Sequence, residues 1–203
     1  MIHGEREVYE CPNCDNVFSR DTLISGNTIG AKYYSDGKII APMLPEMLDL
    51  IKCSNCKTIF WLSKSEKIEN DDRMNFAEDA KFLTIYEYLY ALEKKVYESK
   101  KEEIYIRKRI WWGFNDRVRD GKPITFYHGD AELWTKNLIR LLGLLDEKET
   151  YDRIAIAEIH RNFGNFEKSI ELLQSINESN LDQEKSAIIK LCIEMNEEVI
   201  LIC

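Results

Sequence analysis

Residues 9–18 read YECPNCDNVF and residues 51–60 read IKCSNCKTIF. Each stretch carries a Cys-x-x-Cys pair, Cys11 with Cys14 and Cys53 with Cys56, and each places a phenylalanine four positions after its second cysteine, Phe18 and Phe60. A turn of this spacing folds two sulfurs toward one point, and two such turns supply four thiolates, the closed tetrahedral shell of a structural zinc ion. Cys11, Cys14, Cys53 and Cys56 are therefore the expected metal ligands and Zn2+ the expected cofactor. Iron, a dithiol redox pair and unligated core cysteines are the alternatives. A redox Cys-x-x-Cys expects a strand leading into a helix, whereas both pairs here are flanked by strand-like residues, EVYE and NVF around the first, DLIK and TIFWL around the second.

Pro12 in CPNC resembles the first knuckle of rubredoxin-type zinc ribbons, and that resemblance implies two hairpins closed around one metal. Asp15 and Lys57 stand where such knuckles usually have glycine, because the backbone there tends toward positive φ. The 38 residues between Cys14 and Cys53 also exceed the roughly 15–20 of a compact ribbon. KYYSDGKII, with a strong Asp36-Gly37 hairpin turn, and the segment from Pro42 to Pro45 are expected to absorb the excess.

At 203 residues and 44% hydrophobic content the chain can build one large core or two small ones. No apolar N-terminal stretch or long apolar run is present, and the paired cysteines fit a reducing compartment, so a cytoplasmic location is expected, with no membrane partner. The net charge of −8 is uneven: 8 Lys and Arg against 10 Asp and Glu over residues 1–70, 14 against 13 over 71–145, and 6 against 13 over 146–203. An acidic C-terminal third repels a phosphate backbone. The basic cluster of Lys94, Lys95, Lys100, Lys101, Arg107, Lys108 and Arg109 is interleaved with Glu93, Glu98, Glu102 and Glu103, the pattern of a solvated helix face.

After SEKIENDD the composition turns helical, which places a boundary near residue 70: a ribbon over 1–70 and a helical domain over 71–203. Helical spacing predicts an amphipathic helix over 76–97 with Phe82, Ile85, Tyr86, Leu89, Leu92 and Val96 inward. A second is expected over 102–119 with Ile106, Ile110, Trp111, Phe114 and Val118 in one stripe, and a third after Asp130 as N-cap. Two more are broken at Gly164-Asn165, and a last one covers 183–199. The fold class is α+β, a small β ribbon followed by stacked helical pairs. Trp112 lies about 100° off the stripe and needs a second neighbour. Asn115, Asp116 and Arg117 suit a buried polar network or a helix terminus.

Residues 150–177 resemble a tetratricopeptide (TPR) repeat through Ile156 and Ala157, Gly164 at the turn, Phe166, and Ser169, Leu173 and Ile176; they depart from it at Arg153, His160 and Leu181. The whole arrangement resembles uncharacterised bacterial proteins that join a zinc ribbon to a TPR-like helical domain. The resemblance implies that the first helix presents Tyr151, Ile154, Glu158, Arg161 and Asn162 on an inward face that binds a peptide, unless adjacent helices cover it. Cys192 falls on an apolar stripe and Cys203 outside both knuckles. Of the three histidines, His3 lies near the start, His160 within the repeat, and His128 beside Asp130; the last two could form an acid/base pair or simply a loop before a helix. No nucleophile motif, P-loop or HExxH accompanies them. The expected function is a non-enzymatic, zinc-binding protein-interaction adaptor. The alternative is a nucleic-acid-binding or transcription-associated factor that uses the ribbon and the basic cluster.

Overall fold

A computed structural model describes residues 1–69 and 71–203. Among these, the strands in chain order are β1 (Ile2–His3), β2 (Glu7–Glu10), β3 (Val17–Arg20), β4 (Leu23–Ser25), β5 (Lys32–Tyr33), β6 (Ile39–Ile40), β7 (Leu50–Lys52), β8 (Ile59–Trp61), β9 (Lys67–Ile68) and β10 (Glu78–Asp79). The helices are α1 (Ile85–Glu93), α2 (Lys100–Arg119), α3 (Asp130–Leu142), α4 (Thr150–Asn162), α5 (Phe166–Gln174) and α6 (Asp182–Ile193). The fold is α+β. The boundary expected near residue 70 falls on the residue outside those described. The chain forms two compact units: one combines Met1–Ala31 with Ala41–Val96, the other Lys32–Ile40 with Tyr97–Cys203.

In the first unit β2 and β3 pair antiparallel across the first Cys-x-x-Cys, and β7 and β8 do the same across the second. β9 adds antiparallel to β2 and β10 parallel to β3, giving the order β10-β3-β2-β9. Tyr9, Phe18, Ile51, Phe60 and Leu62 form a buried cluster that includes Cys11 and Cys53. The two phenylalanines that repeat in the sequence meet there, with ring centroids 5.9 Å apart and edge-to-face, a favoured aromatic geometry.

The first helix is shorter than its apolar spacing suggests. Asp72–Phe76 is a 3-10 turn, Glu78–Asp79 is spent as a strand against β3, and the helix starts only at Ile85. Thr84 and Glu87 form a reciprocal capping box, which fixes that start. Phe82 thus precedes the helix, and the buried face runs through Tyr88 and Ala91, while Tyr86 is 43% exposed.

The second unit is built on α2 to α6. Ile106, Ile110, Trp111 and Phe114 are fully buried, each worth roughly 1.5–3 kcal/mol of hydrophobic burial. Trp111 packs with Leu138, Leu141, Ile159, Leu173, Ile188 and Cys192. Gly164, at φ 73, turns the chain between α4 and α5, and the fully buried Ala157 and Ser169 occupy the small positions of that pair.

The β5–β6 hairpin, although it lies between the two Cys-x-x-Cys pairs in sequence, belongs to this helical unit. Trp112 Nε1 donates to the Asp36 carbonyl at 3.0 Å, Asn115 Nδ2 to the Asp36 carboxylate at 2.7 Å, and Arg119 pairs with the same carboxylate. Lys38 reaches Asp116 at 2.6 Å. The second neighbour that Trp112 requires is therefore this hairpin. Of the 38 residues between the knuckles, the nine of Lys32–Ile40 serve a different core.

The last helix also ends early. Asn196 N donates to the Leu191 carbonyl and Met195 sits at φ 52, the pattern of a left-handed helix cap. The cap turns the chain so that residues 196–203 run back along α4 and the hairpin. Ser35 N donates to the Ile200 carbonyl, Ile202 N to that of Tyr33, and Tyr33 N to that of Cys203.

Candidate metal centre

The two knuckles have one backbone design. Cys11 N donates to the Asn16 carbonyl and Cys53 N to the Thr58 carbonyl, both at 2.8 Å; Asp15 N and Lys57 N fold back to the carbonyls of Cys11 and Cys53. Asp15 and Lys57 both take positive φ, 57° and 66°, the conformation expected of the residue after the second cysteine. An aspartate tolerates this region and a lysine does so at a cost.

The four sulfurs lie within 4.8 Å of one another. Across the knuckles, Cys11 Sγ is 3.6 Å from Cys56 Sγ and Cys14 Sγ is 3.6 Å from Cys53 Sγ. A tetrahedron with metal–sulfur bonds of about 2.3 Å has edges of about 3.8 Å, so the cluster fits the donor set of zinc. Donors surround the sulfurs: Cys56 N points to Cys53 Sγ at 3.4 Å and Asn55 Nδ2 to Cys14 Sγ at 3.5 Å. Cys11 and Cys53 are buried, Cys14 and Cys56 half-buried. Burial pushes the Cys11 thiol up to about 12 and raises Cys53 as well, whereas the Thr58 hydroxyl, followed by Asn13, brings Cys56 down to about 5. A cation replaces the protons that burial keeps on Cys11 and Cys53.

Glu78 ties the knuckles together outside the sulfurs. Its Oε1 accepts from Asn16 Nδ2 at 3.0 Å and from Ser54 Oγ at 2.7 Å, one donor from each knuckle. Sequence reasoning missed this residue because nothing in the local pattern around Glu78 points to residues 62 and 24 positions away.

The five residues expected on an open inward face are not together at a surface. Tyr151 is 70% exposed, but Ile154, Glu158, Arg161 and Asn162 are buried. Arg161 pairs with Glu158 on its own helix and donates to the carbonyls of Asn196 and Glu198 and to Ser35 Oγ. Asn162 Nδ2 donates to the Glu197 carbonyl, and its Oδ1 accepts from Trp111 Nε1. The chain's own tail and hairpin thus occupy that face, as a pair of buried charges and an amide require partners.

His128 and Asp130 differ in their surroundings. His128 is exposed, while Asp130 is fully buried and its Oδ2 accepts from Arg117, Phe126 N and Tyr127 N. Asp130 is also the first residue of α3, not its N-cap; Gly129, at φ 89, fills that position. Of the basic cluster, Lys95, Lys100 and Lys101 are exposed. Lys94 pairs with Glu93, Arg107 with Glu103 and Lys108 with Asp152, while Arg109 lies over the rings of Tyr105 and Trp112. Cys192 is buried and shares a hydrogen bond with Ser169 Oγ; Cys203 is exposed. No helix among the described residues is long and apolar enough to cross a membrane.

Comparison with protein-family models, with curated proteins and with solved structures finds no match for this chain.

Proposed function

We propose that the chain holds one structural zinc ion through Cys11, Cys14, Cys53 and Cys56, and that its TPR-like helical unit is a non-enzymatic module for binding another protein. The observation that carries the metal reading is the convergence of four sulfurs from two knuckles of equal backbone design. Four thiolates leave no coordination position for substrate, which is the arrangement of a structural rather than a catalytic site. In support of the interaction reading, the helical unit is built of short paired helices around the α4–α5 turn. Its buried carboxylates, Asp36, Glu103, Asp130 and Glu158, are each spent on an arginine rather than poised for proton transfer.

Metal analysis of protein purified without chelator tests the first half. One zinc per chain is expected, and Cys53→Ser should lose it. Iron in its place, with the visible absorption of an iron–thiolate centre, would move the site to electron transfer, and metal-free folded protein would remove it. Failure of the purified chain to capture any protein from extracts of its source would count against the second half.

A further inference from the structure

Between the β5–β6 hairpin and helices α4 and α6 runs a half-open cleft with two lobes of about 370 and 120 Å3. The lobes join at Gly37, Tyr151 and Glu184, which line both. Tyr33, Ile39 and Leu181 wall the larger lobe and Trp112 the smaller, so the surface is mainly apolar and aromatic. Of the Asp, Glu, Lys and Arg side chains lining the cleft, Asp36 is held by Arg119 and Asn115, Lys38 by Asp116, and Lys108 lies 3.8 Å from Asp152. Glu184 alone has no hydrogen-bond or ion-pair partner among the described residues. Burial, then the nearby charge of Glu158, raises its carboxyl above the ordinary range. A half-buried carboxylate at the joint of an aromatic cleft is short of one thing, a cation.

We propose that this cleft receives a lysine or arginine side chain of a partner polypeptide, with the cation on Glu184, its methylene stem against Tyr151, and the flanking residues of the partner in the two lobes. The larger lobe exceeds the volume of one side chain, and the cleft continues past Glu184 on both sides, which suits an extended peptide more than a free amine. The inference rests on the reading of the helical unit as an interaction module and names the chemistry that it recognises.

The test is an amide-resolved NMR titration of the full chain with capped tripeptides Ala-Lys-Ala, Ala-Arg-Ala, Ala-norleucine-Ala and Ala-Glu-Ala, and with n-butylammonium. The basic tripeptides are expected to shift Gly37, Tyr151 and Glu184, and the neutral and acidic ones to leave them unmoved. Glu184→Gln, nearly isosteric on the surface of α6, should weaken binding on the order of tenfold or more. Tyr151→Ala, at an exposed position, should weaken it too. Equal shifts from norleucine, no shifts from any probe, or full affinity in Glu184→Gln would overturn the proposal. Butylammonium binding as tightly as the tripeptides would make it a small-amine site instead. A protein partner captured equally by wild-type and Glu184→Gln chains would leave the interaction module standing and remove this cleft from it.

Discussion

Lys57 holds a backbone conformation that its side chain disfavours, because the knuckle geometry demands positive φ just after Cys56. Glycine there removes the clash, so Lys57→Gly should stabilise the cysteine-bearing unit by about 1 kcal/mol, read as a higher melting temperature of the metal-loaded protein. Asp15→Gly should gain less, since aspartate tolerates the region. A loss of stability in Lys57→Gly would mean that the second knuckle is not folded in this way. In the helical unit, Glu103 is 5% exposed and accepts from Arg107 and Arg140. Burial alone would raise its carboxyl; the guanidinium groups of Arg140 and Arg107 outweigh it and hold the carboxyl below 4.5. A lowered carboxylate stabilises the fold above its ordinary value and loses that contribution as pH falls through the lowered one. Glu103→Gln should therefore cost about 2–3 kcal/mol at pH 7, and the gap to wild type should close on acidification below 4.5. A gap that stays constant from pH 7 to pH 3 in denaturant titrations would contradict the pairing.

At the scale of elements, the capped end of α6 decides where the tail goes. Met195 takes φ 52 without being glycine, and the sequence-based helix runs past it to residue 199 because nothing in MNEEV signals a stop. Met195→Gly should preserve the turn and raise stability by about 1 kcal/mol. Met195→Val should lower it and free residues 196–203 from α4, seen as faster amide exchange at Ile202 and Tyr33. Unchanged exchange in Met195→Val would show that the tail docks independently of the cap. The tail matters because the carbonyls of Asn196 and Glu198 complete the shell of Arg161, a guanidinium that is buried beside Glu158 and needs every donor matched.

For the molecule as a whole, the four-cysteine site and the helices α2 to α6 belong to different units. Structural zinc in small peptides is worth roughly 10–16 kcal/mol of apparent binding energy, more than a small ribbon core can replace. A strong chelator should therefore unfold residues 1–31 and 41–96 while most of the helical circular dichroism persists. Hydrogen exchange separates this division from a single cut near residue 70. After chelation the amides of Tyr33 and Ser35, which donate to Cys203 and Ile200, should stay protected, whereas those of Cys11 and Cys53 should exchange. Loss of protection at Tyr33 together with Cys53 would assign the hairpin to the ribbon.

The Cys-x-x-Cys spacing, the strand-like residues beside it and the stripe of Ile106, Ile110, Trp111 and Phe114 were legible from sequence because each is a local pattern. A turn chemistry, a run of strand formers or a period of 3.6 needs no knowledge of what lies across the fold. The same holds for the Asp36-Gly37 turn, and for the positive φ at Asp15 and Lys57. What the tertiary structure decided is non-local. Asp36 turns inward to Asn115 and Arg119, 79 and 83 residues on, and so carries a hairpin out of the spacer between the knuckles into the helical core. Glu158, Arg161 and Asn162 read as surface polar residues on a helix, yet they are buried, because a charge pair that finds carbonyls from a returning tail can be desolvated where an unpaired one cannot. Glu184 looks like any helix glutamate in sequence; only the closing of the hairpin over α4 and α6 makes it the unpartnered carboxylate of a cleft.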